Sequence, residues 1–280
     1  MTESQTKSFQ PFFNNPLESS PGLTINDLNR YLPAIQTLED LSMTADQMKE
    51  GLFLSDGSIG LKNLPDQCID LIVTEPPREP WLDIDSRGSQ MTLQEYYDWN
   101  QNWLLDAHRV LKNTGGIYLL SDWSNSSMYY GLLSNNFIIQ NRITWHNRSA
   151  EMRSMSSTWK NQSGDIWFAT KNDDFLFDNH AVSLKSDRNE LIYRRNERLQ
   201  TNFWLDIPVV KNQDARYSDK LYAKILEASS FKLNWILDPF MRNGDVGVSA
   251  KKTGRRFIGF ETNKDLLLLS MKRIDQKKNQ

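Results

Sequence analysis

Two short apolar runs, each ending in a carboxylate followed by proline, constrain this chain more than any other feature. The first is Leu71-Ile72-Val73-Thr74-Glu75-Pro76-Pro77-Arg78, and the second is Trp235-Ile236-Leu237-Asp238-Pro239-Phe240-Met241-Arg242-Asn243-Gly244. Uninterrupted apolar runs of this length suit strands buried on both faces of a parallel sheet. Ligands of open α/β sheets bind outside the carboxyl ends of such strands, so Glu75 and Asp238 are candidate halves of one site. The rest of the chain keeps the pattern. Strands are expected at Leu52–Leu54, Ile69–Thr74, Ile117–Leu120, Phe137–Ile139, Arg142–Trp145, Ile236–Phe240 and Phe257–Phe260. Helices are expected at Leu93–Leu111, Ser126–Leu133, Asp219–Ser229, Val246–Lys252 and Lys264–Gln276, and Gly57–Leu64 reads as a short helix or turn. Asp165–Ala169 and Phe175–Phe177 read as an antiparallel pair at the sheet's edge.

A strand, a turn containing Gly244, a helix, a second strand and then Glu261 is an arrangement suited to a nucleoside. The turn lets backbone N–H groups approach the ligand, and the acid accepts from ribose hydroxyls. An ordinary βαβ unit with a surface glutamate explains the same spacing. Bulk properties exclude some classes. The formal charge of −2 leaves no global signal for nucleic acid, so an anionic partner must meet a local basic patch. A single cysteine, Cys68, excludes an internal disulfide and reads as a core thiol. The first residues lack the apolar core of a signal peptide, and no run of 18 apolar residues occurs. An intracellular, cytoplasmic location is expected, nucleoid-associated in a bacterium.

The ordered segments resemble the β-class, permuted DNA amino-methyltransferases. The resemblance begins at Leu52-Phe53-Leu54-Ser55-Asp56 and continues through Leu64-Pro65-Asp66 to Thr74-Glu75-Pro76-Pro77. It resumes at Tyr217-Ser218-Asp219-Lys220 and ends with Asp238-Pro239-Phe240 through Gly244 to Phe257-Ile258-Gly259-Phe260-Glu261. It implies a doubly wound, Rossmann-like α/β fold, mostly parallel with an antiparallel edge. It also implies methyl transfer from S-adenosylmethionine (SAM) to adenine N6 or cytosine N4 of a base flipped out of DNA. By the same resemblance Glu75, Pro76, Pro77 and Arg78 form the catalytic segment, with Glu75 and the Pro76 carbonyl facing the amine. Asp56 would meet the cofactor's adenine and Glu261 its ribose. Asp238, Pro239, Phe240 and Gly244 would meet its methionine portion, and Lys220 stands where the family has Lys-Pro.

The chain departs from the family pattern where the chemistry lies. Glu75 replaces the usual aspartate, Arg78 the stacking aromatic and Arg242 the first glycine of the cofactor turn. Asp245-Val246 stands where Thr-Thr is common. An arginine in a glycine turn is expected to hinder the cofactor, making SAM binding weak or absent. An added methylene shifts the acceptor by roughly an ångström, enough for about a hundredfold in rate. Arg78 or Trp81 offers a replacement stacking surface. Two readings stay open: an atypical DNA methyltransferase, or an inactive pseudo-methyltransferase that binds DNA or an active sister subunit, as a homodimer or heterodimer. DNA contacts are expected from two basic stretches with interleaved rings. One holds Arg142, Arg148, Arg153 and Lys160, and the other Arg188, Arg194 and Arg195. A solvated loop is the alternative for both. The expected organisation is an N-terminal arm (1–50), a catalytic half (51–177), an insertion for target recognition (178–213) and a cofactor half (214–280).

Overall fold

The computed structural model describes residues 22–41, 44–77, 91–146, 159, 162–178, 201–208 and 217–276. Eight strands form one sheet in the order β1-β8-β7-β2-β3-β5-β4-β6. The strands are β1 (Gly51–Leu54), β2 (Ile69–Thr74), β3 (Leu111–Ser121), β4 (Ile138–His146), β5 (Ser163–Thr170), β6 (Phe203–Trp204), β7 (Trp235–Asp238) and β8 (Arg256–Glu261). All neighbours pair in parallel except β5, which runs against both β3 and β4.

Helices cover both faces, each placed by an apolar stripe. On one side α2 (Gly57–Asn63), α3 (Leu93–Val110) and α4 (Trp123–Ser134) bury Leu61, Trp103, Leu104, Ala107, Leu132 and Leu133 against the sheet. On the other, α5 (Asp219–Ser229), α6 (Asp245–Lys252) and α7 (Lys264–Gln276) bury Leu221, Ile225, Val248, Leu267 and Ile274. The result is the expected doubly wound layering. Thr92 starts α3 with a capping box, its side chain accepting from Glu95 N–H while the Glu95 carboxylate accepts from Thr92 N–H. Cys68 is buried, and its Sγ donates to the Pro65 carbonyl (3.0 Å).

The antiparallel strand is placed differently from expectation. Asp165–Ala169 lies inside the sheet, between β3 and β4, not at its edge. Phe175 and Phe177 form no strand; their rings pack on Phe168 at 5.8 and 6.0 Å, so apolar burial takes them onto the sheet's face. The two strands expected at Phe137–Ile139 and Arg142–Trp145 are one, β4, with its register shifted between Ile139 and Asn141.

Within the expected N-terminal arm, helix α1 (Ile25–Tyr31) docks on this domain. Leu23 and Tyr31 bury with Leu268 of α7, and the Tyr31 hydroxyl donates to Asp275 at 3.1 Å. After Thr44 the chain makes a single 3-10 turn, Ala45–Gln47. No helix among the described residues is long and apolar enough to cross a membrane.

Candidate active site

The strands carrying the two carboxylates are neighbours. β2 and β7 pair with Leu71 opposite Ile236 and Ile72 opposite Leu237, which brings Glu75 and Asp238 to the same end of the sheet. The Thr74 hydroxyl joins them by donating to Asp238 Oδ1 at 2.7 Å, and the Phe240 N–H donates to the same oxygen at 3.1 Å. From β2 the chain order runs outward in opposite directions, through β3 on one side and through β7 and β8 on the other. This is a topological switch point, where an open α/β sheet leaves a crevice.

The crevice is a cleft of about 340 Å³ lined by Asp56, Glu75, Pro77, Trp99, Phe240, Arg242 and Glu261, among others. A deeper recess shares Glu75, Phe240 and Arg242 with it and adds Thr74, Asp238 and Asp245. Asp56 caps α2: its Oδ1 accepts from the Ser58 N–H and hydroxyl and from the Ile59 N–H. All three bonds fall on Oδ1, which leaves Oδ2 without a protein partner among the described residues. Glu261 ends β8 and accepts from the Asn263 N–H at 2.8 Å; burial raises its pKa above the ordinary value. Trp99 and Phe240 stand 5.3 Å apart as a ring wall.

Glu75 is 9% exposed, and the Tyr217 hydroxyl donates to its Oε1 at 3.2 Å. The Pro77 carbonyl accepts from the Tyr96 hydroxyl at 2.6 Å. Tyr96 in turn meets the Tyr129 hydroxyl at 2.9 Å, and Tyr129 donates to Asn100, which also accepts from the Trp103 indole. Two buried tyrosines therefore hold the Glu75-Pro76-Pro77 turn from opposite faces of the sheet. The sequence assigns no site role to Tyr217, Tyr96 or Trp99. Tyr217 opens the Tyr217-Ser218-Asp219-Lys220 segment of the resemblance, and Tyr96 is buried on α3.

Burial pushes the Asp238 carboxyl up to about 7, with the negative charges of Glu75 and Glu261 adding to the effect against the hydrogen bonds from Thr74 and Phe240. The folded state thus keeps a proton that the unfolded chain, near 3.8, has released. Stability from this group falls as pH rises from about 4 to about 7, by up to about 1.4 kcal/mol per pH unit. Asp238→Asn keeps the acceptor oxygen for Thr74 and is expected to remove that slope. Urea unfolding of both proteins at pH 4.5 and 7 measures it; parallel losses of stability would mean that Asp238 is already ionised.

The cofactor turn is braced by α7. Arg242 takes φ +50 and Gly244 φ +75, both left-handed. Ser270 Oγ donates to the Arg242 carbonyl at 2.8 Å. Arg273 donates to the Asn243 carbonyl and, at 2.5 Å, to Asp245 Oδ1. The acid that departs from Thr-Thr is thus the buried partner of an arginine and favours the start of α6.

Other expected residues fall elsewhere. Lys220 is exposed in the first turn of α5 and is not among the residues lining the cleft. Arg142 is committed to Asp165, which accepts at 3.0 and 2.9 Å, because β4 and β5 pair there. Trp145, a ring beside the first basic stretch, is buried against Tyr217. Arg78, Trp81, Arg148, Arg153, Lys160, Arg188, Arg194 and Arg195 lie outside the described residues.

Residues 69–272 match the family model of the N6/N4 DNA methylases. The DNA adenine methyltransferase YhdJ of Escherichia coli (strain K12) is 25% identical over 238 residues, covering 79% of this chain and 81% of its own. Among solved structures, the cytosine-N4-specific PvuII DNA methyltransferase superposes with a TM-score of 0.65 at 15% identity, covering 88% of this chain and 92% of its own. The M1.HpyAVI–SAM complex superposes with a TM-score of 0.56 at 20% identity, covering 80% and 98%.

Proposed function

Since the chain belongs to the N6/N4 DNA methylase family, matched over residues 69–272, we propose that it methylates DNA. The reaction is transfer of a methyl group from SAM to an exocyclic amine, adenine N6 or cytosine N4, of a base turned out of the duplex. The observation that carries this reading is the pair of buried carboxylates, Glu75 and Asp238, on adjacent parallel strands at the switch point. The donor set suits the cofactor. Asp56 Oδ2 and the Glu261 carboxylate are acceptors for an amine and a diol, and Trp99 and Phe240 supply ring surface beside them. When bound, SAM supplies an electrophilic methyl group on a sulfonium.

The chain's own residues position the acceptor. Glu75 takes a hydrogen bond from the target amine and turns its lone pair toward the cleft, with the Pro76 carbonyl as second acceptor. Tyr217 and Tyr96 restrain that turn so that little reorganisation remains at the moment of reaction. In this reading residues 51–177 form the catalytic half, 214–280 the cofactor half, and 178–213 serves target recognition. Arg148, Arg153, Lys160, Arg188, Arg194 and Arg195 supply the phosphate contacts.

DNA from a methylation-deficient host expressing the protein, hydrolysed and analysed by mass spectrometry, tests the reading. N6-methyladenine or N4-methylcytosine is expected, and which of them appears names the target. Neither base, from a protein that still binds DNA, would favour the inactive reading, with an active sister subunit as partner.

A further inference from the structure

The charges around the cleft are lopsided. Asp56, Glu75 and Glu261 line the cleft itself, and Asp238 and Asp245 line the recess beneath. Asp245 is compensated by Arg273. Arg242 lines both spaces, and among the described residues lining them it is the one cation. Its side chain is exposed, and no ion pair to it occurs among the described residues. A ligand's anionic group would be repelled at every other charged position of the cleft.

The backbone of Arg242 has also been provided for. A left-handed φ costs an arginine roughly 1–2 kcal/mol, yet the turn keeps the shape a glycine would take. The hydrogen bond from Ser270 to the Arg242 carbonyl and the bonds of Arg273 to Asn243 and Asp245 hold it there. These contacts come from Ser270 and Arg273 of α7. A side chain retained at positive φ on a braced turn, exposed and lining the cleft, is placed to bind something.

We propose that Arg242 pairs with the α-carboxylate of the SAM amino-acid tail. The inference rests on the cofactor reading above and runs opposite to the obstruction expected from the sequence. Glu261 and Asp56 suit the nucleoside, and Glu75 marks where the methyl group must be delivered. The tail is left to the recess side, where its ammonium finds carboxyl oxygens of Asp238 and Asp245 and its carboxylate finds Arg242. A charge-assisted, bidentate contact is within a guanidinium's ordinary repertoire.

Calorimetric titration of the full chain with two probes tests this. One probe is SAM. The other is 5′-methylthioadenosine, which has the nucleoside and sulfur but no amino-acid tail. Arg242→Gly keeps the left-handed turn and removes the guanidinium; it is expected to weaken SAM about tenfold, equivalent to about 1.4 kcal/mol, and to leave methylthioadenosine within about twofold. Arg242→Lys is expected to recover part of the loss. Arg242→Asn, also tolerant of positive φ, repeats the test should the glycine variant not fold. Unchanged or tighter SAM binding in Arg242→Gly overturns the proposal, as does equal weakening of both probes. Wild-type protein that binds neither probe removes the cofactor reading and this inference together. Wild-type binding of SAM without dependence on Arg242 removes the inference alone.

Discussion

Glu75→Ala is expected to lower DNA methylation by at least a hundredfold. Glu75 lies at the end of β2 beside the cleft, where its carboxylate is the acceptor proposed to orient the amine. Displacing a reacting group by about an ångström already costs on the order of a hundredfold, and removing its acceptor costs no less. Glu75→Asp is expected to preserve or raise the rate by drawing the carboxylate back toward the strand. It also gives up the 3.2 Å bond from Tyr217, which was set for the longer side chain. Tyr217→Phe keeps the ring packed on Trp145 and removes only the hydroxyl, so a loss of less than about tenfold is expected. Transfer of labelled methyl into DNA under single-turnover conditions separates the three variants. An alanine variant that works at the wild-type rate would remove Glu75 from the mechanism.

Trp103→Ala is expected to destabilise the domain by about 3–5 kcal/mol, the range for truncating a fully buried aromatic. Trp103 is 0% exposed, and its ring meets Phe240 edge-on at 5.2 Å. It thus supports the ring wall of the cleft from below. Its indole N–H donates to Asn100 at 2.9 Å, in the network that reaches the Pro77 carbonyl through Tyr129 and Tyr96. Thermal unfolding should move down by about 10 °C for a domain of this size. Weaker SAM binding should accompany it even in protein that remains folded. A shift of less than about 2 °C would mean that the surrounding rings close over the space.

Much of this protein is decided locally, and that part is legible in its residues. β2 and α7 run over the ranges expected of them, Ile69–Thr74 and Lys264–Gln276, because a buried apolar run and a helical stripe are properties of neighbouring residues. The adjacency of Glu75 and Asp238 followed from two similar strand ends and the rule that such ends gather ligands. What the sequence did not reveal depends on partners far along the chain. Nothing near Asp165 says that it joins Arg142 inside the sheet, since β5 alternates its pairing between two strands. Nothing near Phe175 and Phe177 separates an edge strand from rings laid on Phe168. The Tyr217 hydroxyl reaches Glu75 across 142 residues of sequence, and Arg273 braces a turn 28 residues before it. A buried carboxylate must find a donor, but any of several elements can supply one. Which element does so is settled when the sheet closes and α5 and α7 pack against it, so the departures at Arg242 and Asp245 acquire a meaning only in the folded chain.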